Sequence, residues 1–205
     1  VAILDYGMGN LRSVEKAFAH VGVETVRTAD SDAAGTADGL VLPGVGAFPR
    51  AMERIRELGF DDVVSGGAAA GTPVLGICLG LQLLFDSTTE LGGADGLGLL
   101  QGPVTELEAE DLKVPHIGWS PVSWSRESRL TEGLADEEPF YFVHSFAPRP
   151  ADEADTLGTA EYGERFTCVA ERGNVFGVQF HPEKSSGAGL RLLRNFADVC
   201  SAVPA

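Results

Sequence analysis

The sequence predicts an α/β protein in one domain over residues 1–205, with a central, largely parallel sheet flanked by helices and a strand-rich second half. Three observations carry that prediction. Short apolar runs alternate with stretches of helical period through the first part of the chain, as strand–helix–strand units do. One of those runs gives way to a helix at a cysteine set between two glycines. Beyond Gly92 the helical period fades, and short strand-like runs follow one another up to a last helix.

Taken in order, residues 1–5 read as a strand, and Leu11, Val14, Phe18 and Val21 recur at helical spacing. Residues 24–27 and 39–42 read as further strands, and 48–58 as a helix with Met52 and Ile55 on its apolar side. Residues 73–77 form a short apolar strand that leads into a helix over 79–85. After Gly92, strands are expected at 104–107, 121–124, 141–146, 157–161, 166–171 and 175–180. Arg172-Gly173-Asn174 reads as the hairpin turn between the last two. Residues 188–199 close the fold as a helix with Leu192, Leu193 and Phe196 turned inward.

Composition limits the function. Thirty acidic residues against 15 basic give a formal charge of −15, which argues against nucleic acid or an anionic membrane as a partner. The excess is spread over Asp61-Asp62, 106–111, Asp136-Glu137-Glu138 and 152–155, as a solvated surface would have it. No window has the unbroken apolar length of a membrane span. The chain opens as a strand with no basic leader, and Cys78, Cys168 and Cys200 are odd in number without paired spacing, so a reduced, cytoplasmic protein is expected. Histidine and cysteine lack the spacing of a metal site, and no cofactor is expected. Gly7-Met8-Gly9 resembles the start of a dinucleotide loop, but Arg12 occupies the third glycine position.

Two motifs carry chemistry. In Gly76-Ile77-Cys78-Leu79-Gly80, glycines two positions either side of the thiol permit the sharp strand-to-helix turn that displays a nucleophile. A sulfur at a helix start is also biased toward thiolate. The pattern alone fits a small buried apolar cysteine equally well. About a hundred residues on, an apolar run ends in His181-Pro182-Glu183. Proline favours extended backbone at His181, so residues 181 and 183 point the same way, and Glu183 can hold one imidazole nitrogen while the other faces Cys78. His116 and His144 are competing bases, each expected at a strand end; His20 is expected on a helix surface.

With Cys78, His181 and Glu183 in place, the chain resembles the triad-type, class I glutamine amidotransferases, and more narrowly the glutaminase subunits of imidazole glycerol phosphate synthases. The resemblance runs in order through Asp5-Tyr6-Gly7-Met8-Gly9-Asn10, Pro43-Gly44-Val45-Gly46-Ala47-Phe48, residues 76–85, Val114-Pro115-His116-Ile117-Gly118-Trp119, Tyr141-Phe142-Val143-His144-Ser145 and residues 177–185. It implies that such a chain hydrolyses glutamine through a glutamyl thioester and feeds the ammonia to a cyclase subunit in a heterodimer of histidine biosynthesis. It assigns Cys78 as nucleophile, His181 as general base and acid, and Glu183 as its orienter. The main-chain N–H groups of Leu79 and Gly46 become the oxyanion donors, and Gln82, Glu90, His144, Ser145 and Phe146 the substrate contacts. Lys184, beside the triad, is a candidate interface residue, with an exposed lysine of no role as the alternative. Val45 departs from the family's commoner Pro-Gly-Gly loop, as in those subunits, and the flanking glycines would let a peptide rotate to complete the oxyanion hole. Leu81 and Phe146 replace the usual methionine and tyrosine. The competing functions are a glutaminase serving another synthase, a catalytically silent regulator on the same fold, and an unrelated cysteine peptidase.

Overall fold

Strands buried on both faces read as unbroken apolar runs. Ala2–Leu4, Leu40–Gly44 and Val74–Cys78 are buried throughout and lie side by side. The structure, a computed structural model, describes residues 1–109 and 112–202; Glu110 and Asp111 of the acidic run, and the last three residues of the predicted domain, lie outside the described residues.

The strands are β1 (Ala2–Leu4), β2 (Val26–Thr28), β3 (Leu40–Gly44), β4 (Val74–Cys78), β5 (Ser87–Thr88), β6 (Ala94–Asp95), β7 (Pro103–Glu106), β8 (His116–Trp124), β9 (Glu137–His144), β10 (Phe146–Pro148), β11 (Thr156–Tyr162), β12 (Glu164–Arg172) and β13 (Val175–Val178). The helices are α1 (Leu11–His20), α2 (Ser31–Gly35), α3 (Phe48–Glu57), α4 (Phe60–Ala70), α5 (Leu79–Leu83) and α6 (Ser186–Ser201). A nine-stranded sheet runs β2-β1-β3-β4-β13-β12-β11-β8-β9. Its β2 to β13 half is parallel, and from β13 to β9 every pair is antiparallel. A second sheet, β10-β7-β5-β6, packs beside it.

Alternation along the parallel strands splits the core into two layers. Ile3, Val41, Leu75 and Ile77 face Leu11, Val14 and Phe18 of α1 and Leu192, Leu193 and Phe196 of α6. Ala2, Leu4, Leu40, Leu42 and Val74 face Met52 and Ile55 of α3 and Phe60 and Val64 of α4. Each large apolar side chain so enclosed contributes about 1.5–3 kcal/mol.

The structure departs from the sequence expectations where local pattern is weak. Helix α4 was not expected, because its Gly66-Gly67-Ala68 stretch shows little apolar period; its αL C-cap is Gly71. The expected helix over 79–85 is α5 with a tighter last turn, in which Leu84 and Phe85 donate to carbonyls three residues back. The strand expected at 121–124 begins at His116, and the single strand expected at 141–146 is two. The chain leaves the large sheet after His144 and joins the small one at Phe146. That switch lays residues 143–146 along the end of the parallel strands, where β4 ends in Cys78.

Candidate active site

Cys78 ends β4 with φ 55° and ψ −110°, a strained backbone for a residue with a side chain. The two glycines make the turn possible by close approach. A Cβ on Gly76 would lie 2.6 Å from the Gly80 carbonyl, and one on Gly80 would collide with the carbonyl oxygen of Leu42. The sulfur therefore stands at the carboxyl end of the parallel strands, and the Leu79 N–H beside it, first in its helix, has no intrahelical partner.

His181 lies after β13, the neighbour of β4, and its backbone is extended (φ −99°, ψ 97°) ahead of Pro182. Its N–H donates to the Tyr141 carbonyl at 2.9 Å, and Ser185 Oγ donates to its carbonyl at 2.6 Å. Its Nδ1 meets Glu183 Oε1 at 2.8 Å. Burial works against a charge on this ring, but hydrogen bonds and charges from Cys78 and Glu183 outweigh it and raise the pKa to about 9. An imidazole held in this way, with its other nitrogen facing Cys78, is placed to take the thiol's proton.

The site opens into a cavity of about 310 Å³, lined among others by Gly46, Cys78, Leu79, Gln82, Glu90 and His181, near the lower bound for small-molecule sites. His144, Ser145, Phe146 and Lys184 also line it, so the predicted site residues converge there, with Glu183 behind His181. Gln82 Nε2 donates to the Phe146 carbonyl at 2.9 Å and to Gln179 Oε1 at 3.0 Å, which leaves only the Gln82 carbonyl oxygen for a ligand. Glu90 Oε2 accepts the Phe48 N–H at 2.8 Å and so caps α3, whose own N-cap, Ala47, has no side-chain acceptor. Its second oxygen has no hydrogen-bond partner among the described residues. Gly46 has φ 103°, and no main-chain partner is found among the described residues for the N–H of Val45 or Gly46.

The histidine competing as base is otherwise engaged. His144 Nδ1 is 2.9 Å from the Phe146 carbonyl oxygen and its Nε2 is 3.1 Å from His116 Nδ1. Burial is the main cause that lowers its pKa to about 3, and burial lowers that of His116 to about 4. Both rings are neutral, and His144 offers a ligand its ring surface only. His20 is exposed. Lys184 is exposed, with Nζ 5.9 Å from the centre of the Tyr141 ring. Among the described residues no cluster of histidine, cysteine, aspartate and glutamate could hold a metal, and no helix is long and apolar enough to cross a membrane.

Sequence reasoning passed over two residues at the site. Gln179, fully buried, places Nε2 3.7 Å from Cys78 Sγ; a polar residue inside the apolar run before His181 was the available signal. Tyr6 is buried beneath the end of β3, where a Cβ on Gly44 would overlap its hydroxyl, and that hydroxyl has no partner among the described residues. Burial, with the Cys78 charge, pushes its pKa far up.

An elbow cysteine facing an imidazole that a carboxylate holds, at the carboxyl end of parallel strands, defines the class: α/β proteins with a thiol–imidazole–acid site. Comparison with known proteins narrows it. The family model for glutamine amidotransferase class-I matches residues 2–200, and the chain belongs to that family. It is 46% identical over 202 residues to the imidazole glycerol phosphate synthase subunit HisH of Bacillus cereus (strain G9842), covering 98% of this chain and 96% of that one. It is 49% identical over 195 residues to the subunit of the same name from Aquifex aeolicus (strain VF5), covering 95% and 94%. A crystal structure of a glutamine amidotransferase superposes with a TM-score of 0.77 over 98% of both chains at 21% identity, a likeness of fold.

Proposed function

We propose that this chain, acting as one domain over residues 1–205, is the glutaminase subunit of an imidazole glycerol phosphate synthase. It hydrolyses glutamine and passes the ammonia to a cyclase partner in histidine biosynthesis, in the cytoplasm and without a cofactor. The observation that carries the reading is the coincidence of the Cys78–His181–Glu183 arrangement with near-full-length similarity to HisH subunits.

In this reading His181 takes the Cys78 proton, and the thiolate attacks the side-chain carbonyl of glutamine. The oxyanion faces the Leu79 N–H and, once the loop presents it, the Gly46 N–H. His181 returns the proton to the departing nitrogen, so ammonia leaves and a glutamyl thioester remains. Water, deprotonated by the same ring, then releases glutamate. Glu183 keeps Nδ1–H engaged throughout. The free Glu90 oxygen suits the substrate's α-ammonium, and Gln82 Oε1 accepts an N–H. A cyclase would dock at the cavity mouth, where Val45, Ile117 and Trp119 are exposed and Trp119, Tyr141 and Lys184 are neighbours.

The test is glutaminase kinetics of the chain alone, with a cyclase subunit, and with cyclase plus its nucleotide-like ligand, alongside synthesis from added ammonium. One missing oxyanion donor is worth roughly 3–4 kcal/mol, so kcat should rise by orders of magnitude on full assembly. Cys78→Ala should lose glutamine-dependent synthesis and keep the ammonium-dependent reaction. Equal kcat in all three states would remove the partner dependence, and glutaminase activity in Cys78→Ala would remove the nucleophile.

A further inference from the structure

We infer that Gln179 is a positioning residue for the Cys78 sulfur: its side-chain amide donates to Sγ, favours the thiolate, and is locked in that orientation by a buried chain of hydrogen bonds anchored on the Phe146 carbonyl. The inference rests on the proposed role of Cys78 and adds a residue to it.

The orientation follows from donors and acceptors alone. A carbonyl oxygen only accepts, so both groups 2.9 Å from the Phe146 oxygen must be donors: Gln82 Nε2 on one side, His144 Nδ1 on the other. With its nitrogen so turned, Gln82 sends a second N–H to Gln179 Oε1 at 3.0 Å. The Gln179 amide then has one arrangement left, with Nε2 toward Cys78 Sγ at 3.7 Å. Flipping it would set nitrogen against nitrogen at Gln82 and oxygen against the sulfur anion of the reactive form, leaving the buried Gln179 amide mispaired. On the other arm, His144 Nε2 must accept from His116 Nδ1–H, and His116 Nε2, 2.9 Å from Ser120 Oγ, must accept the serine hydroxyl. Every proton from Ser120 to the sulfur is thereby assigned.

The sulfur's contacts sort by protonation state. The Val143 carbonyl, 3.7 Å away, can only accept, so it suits the thiol. The Gln179 N–H can only donate, so it gains strength when the sulfur becomes an anion. Transfer of the proton to His181 gives up the first contact and strengthens the second. Because the thiolate is the attacking form, Gln179 raises the population that reacts. Gln82 lines the cavity and touches Gln179, so the same ladder joins the ligand-facing amide to the nucleophile.

The test measures the thiol directly, in the full chain without glutamine. The rate of alkylation by iodoacetamide is followed against pH, with Cys78→Ala as the background for the buried Cys168 and Cys200. Gln179→Met, close in volume, should move the alkylation midpoint up by about one pH unit, about a tenfold slower alkylation at pH values well below the midpoint. Should that variant fail to fold, the unsubstituted chain decides: the Gln179 side-chain N–H resonances should titrate with the alkylation midpoint and lose that titration in Cys78→Ala. An unmoved midpoint in folded Gln179→Met, or Gln179 resonances indifferent to the thiol, overturns the inference. Neither readout uses glutaminase activity, so a failure of the nucleophile assignment shows separately.

Discussion

His181 and Glu183 are separated by one proline, and their side chains meet at 2.8 Å between Nδ1 and Oε1. Proline holds the histidine extended, so the imidazole and the carboxylate two residues on share one side of the chain. The far side of the ring is left for Cys78, which arrives from the neighbouring strand about a hundred residues earlier in sequence. In the proposed reaction, removing the ring would remove both proton transfers, and removing the carboxylate's charge would loosen the orientation.

His181→Asn should therefore abolish measurable glutamine hydrolysis, whereas Glu183→Gln should retain a reduced but detectable kcat, because an orienter contributes less than the base it holds. Steady-state glutaminase assays of the reconstituted complex decide. Equal losses would show that Glu183 does more than orient.

Stability should peak near pH 6.5 and fall on both sides. The folded-state pKa of His181, about 9, lies above its ordinary 6.5, so its contribution is complete below pH 6.5 and lost as pH rises through 9. His116 and His144, lowered to about 4 and about 3, contribute fully above pH 6.5 and lose that contribution as pH falls toward those values. Each group can tilt the curve by at most about 1.4 kcal/mol per pH unit. Urea midpoints across this range should show both limbs, and His181→Asn should flatten the alkaline limb alone.

Glu90 holds the α3 N-terminus with one oxygen and presents the other to the cavity. Glu90→Gln keeps an acceptor for the Phe48 N–H but loses the charge, so KM for glutamine should rise while stability holds. Glu90→Leu loses the cap as well and should cost about 1 kcal/mol in addition. Paired kinetics and thermal unfolding separate the two roles; a collapsed kcat with unchanged KM in Glu90→Gln would instead place this residue in the chemistry.

Gly80→Ala drives a methyl into the Leu42 carbonyl, where strand and helix backbones touch. A loss of about 3 kcal/mol or more is expected, seen as insolubility or a sharply lower urea midpoint. A variant of unchanged stability would mean that the elbow can widen.

The parts of the site legible in the sequence are those whose geometry is local. Glycines at positions 76 and 80 announce the turn at Cys78, and Pro182 announces the disposition of His181 and Glu183. The short apolar run that opens the chain was likewise enough to mark the strand that the structure buries throughout over Ala2–Leu4. What stayed hidden is non-local. The Gln82–Gln179 contact joins residues 97 apart and the Glu90 cap spans 42, and no periodicity encodes such pairings. The sheet change at Ser145 was invisible because strand residues continue on either side of it. Helix α4, rich in glycine and alanine, lacks the apolar stripe that local reading needs.

The stretch between Gly44 and Phe48 is fastened at both ends. Gly44 is in register with Cys78 at the end of the β3–β4 ladder, and Phe48 is tied to Glu90. What lies between is a three-residue crank, Val45, Gly46 and Ala47, turning between two fixed bearings. With both ends held, the peptide rotation that the proposed function calls on would be a local rather than a domain-scale event. The exposed Val45 side chain lines the same cavity as Cys78, so a partner that touches it would meet this loop directly.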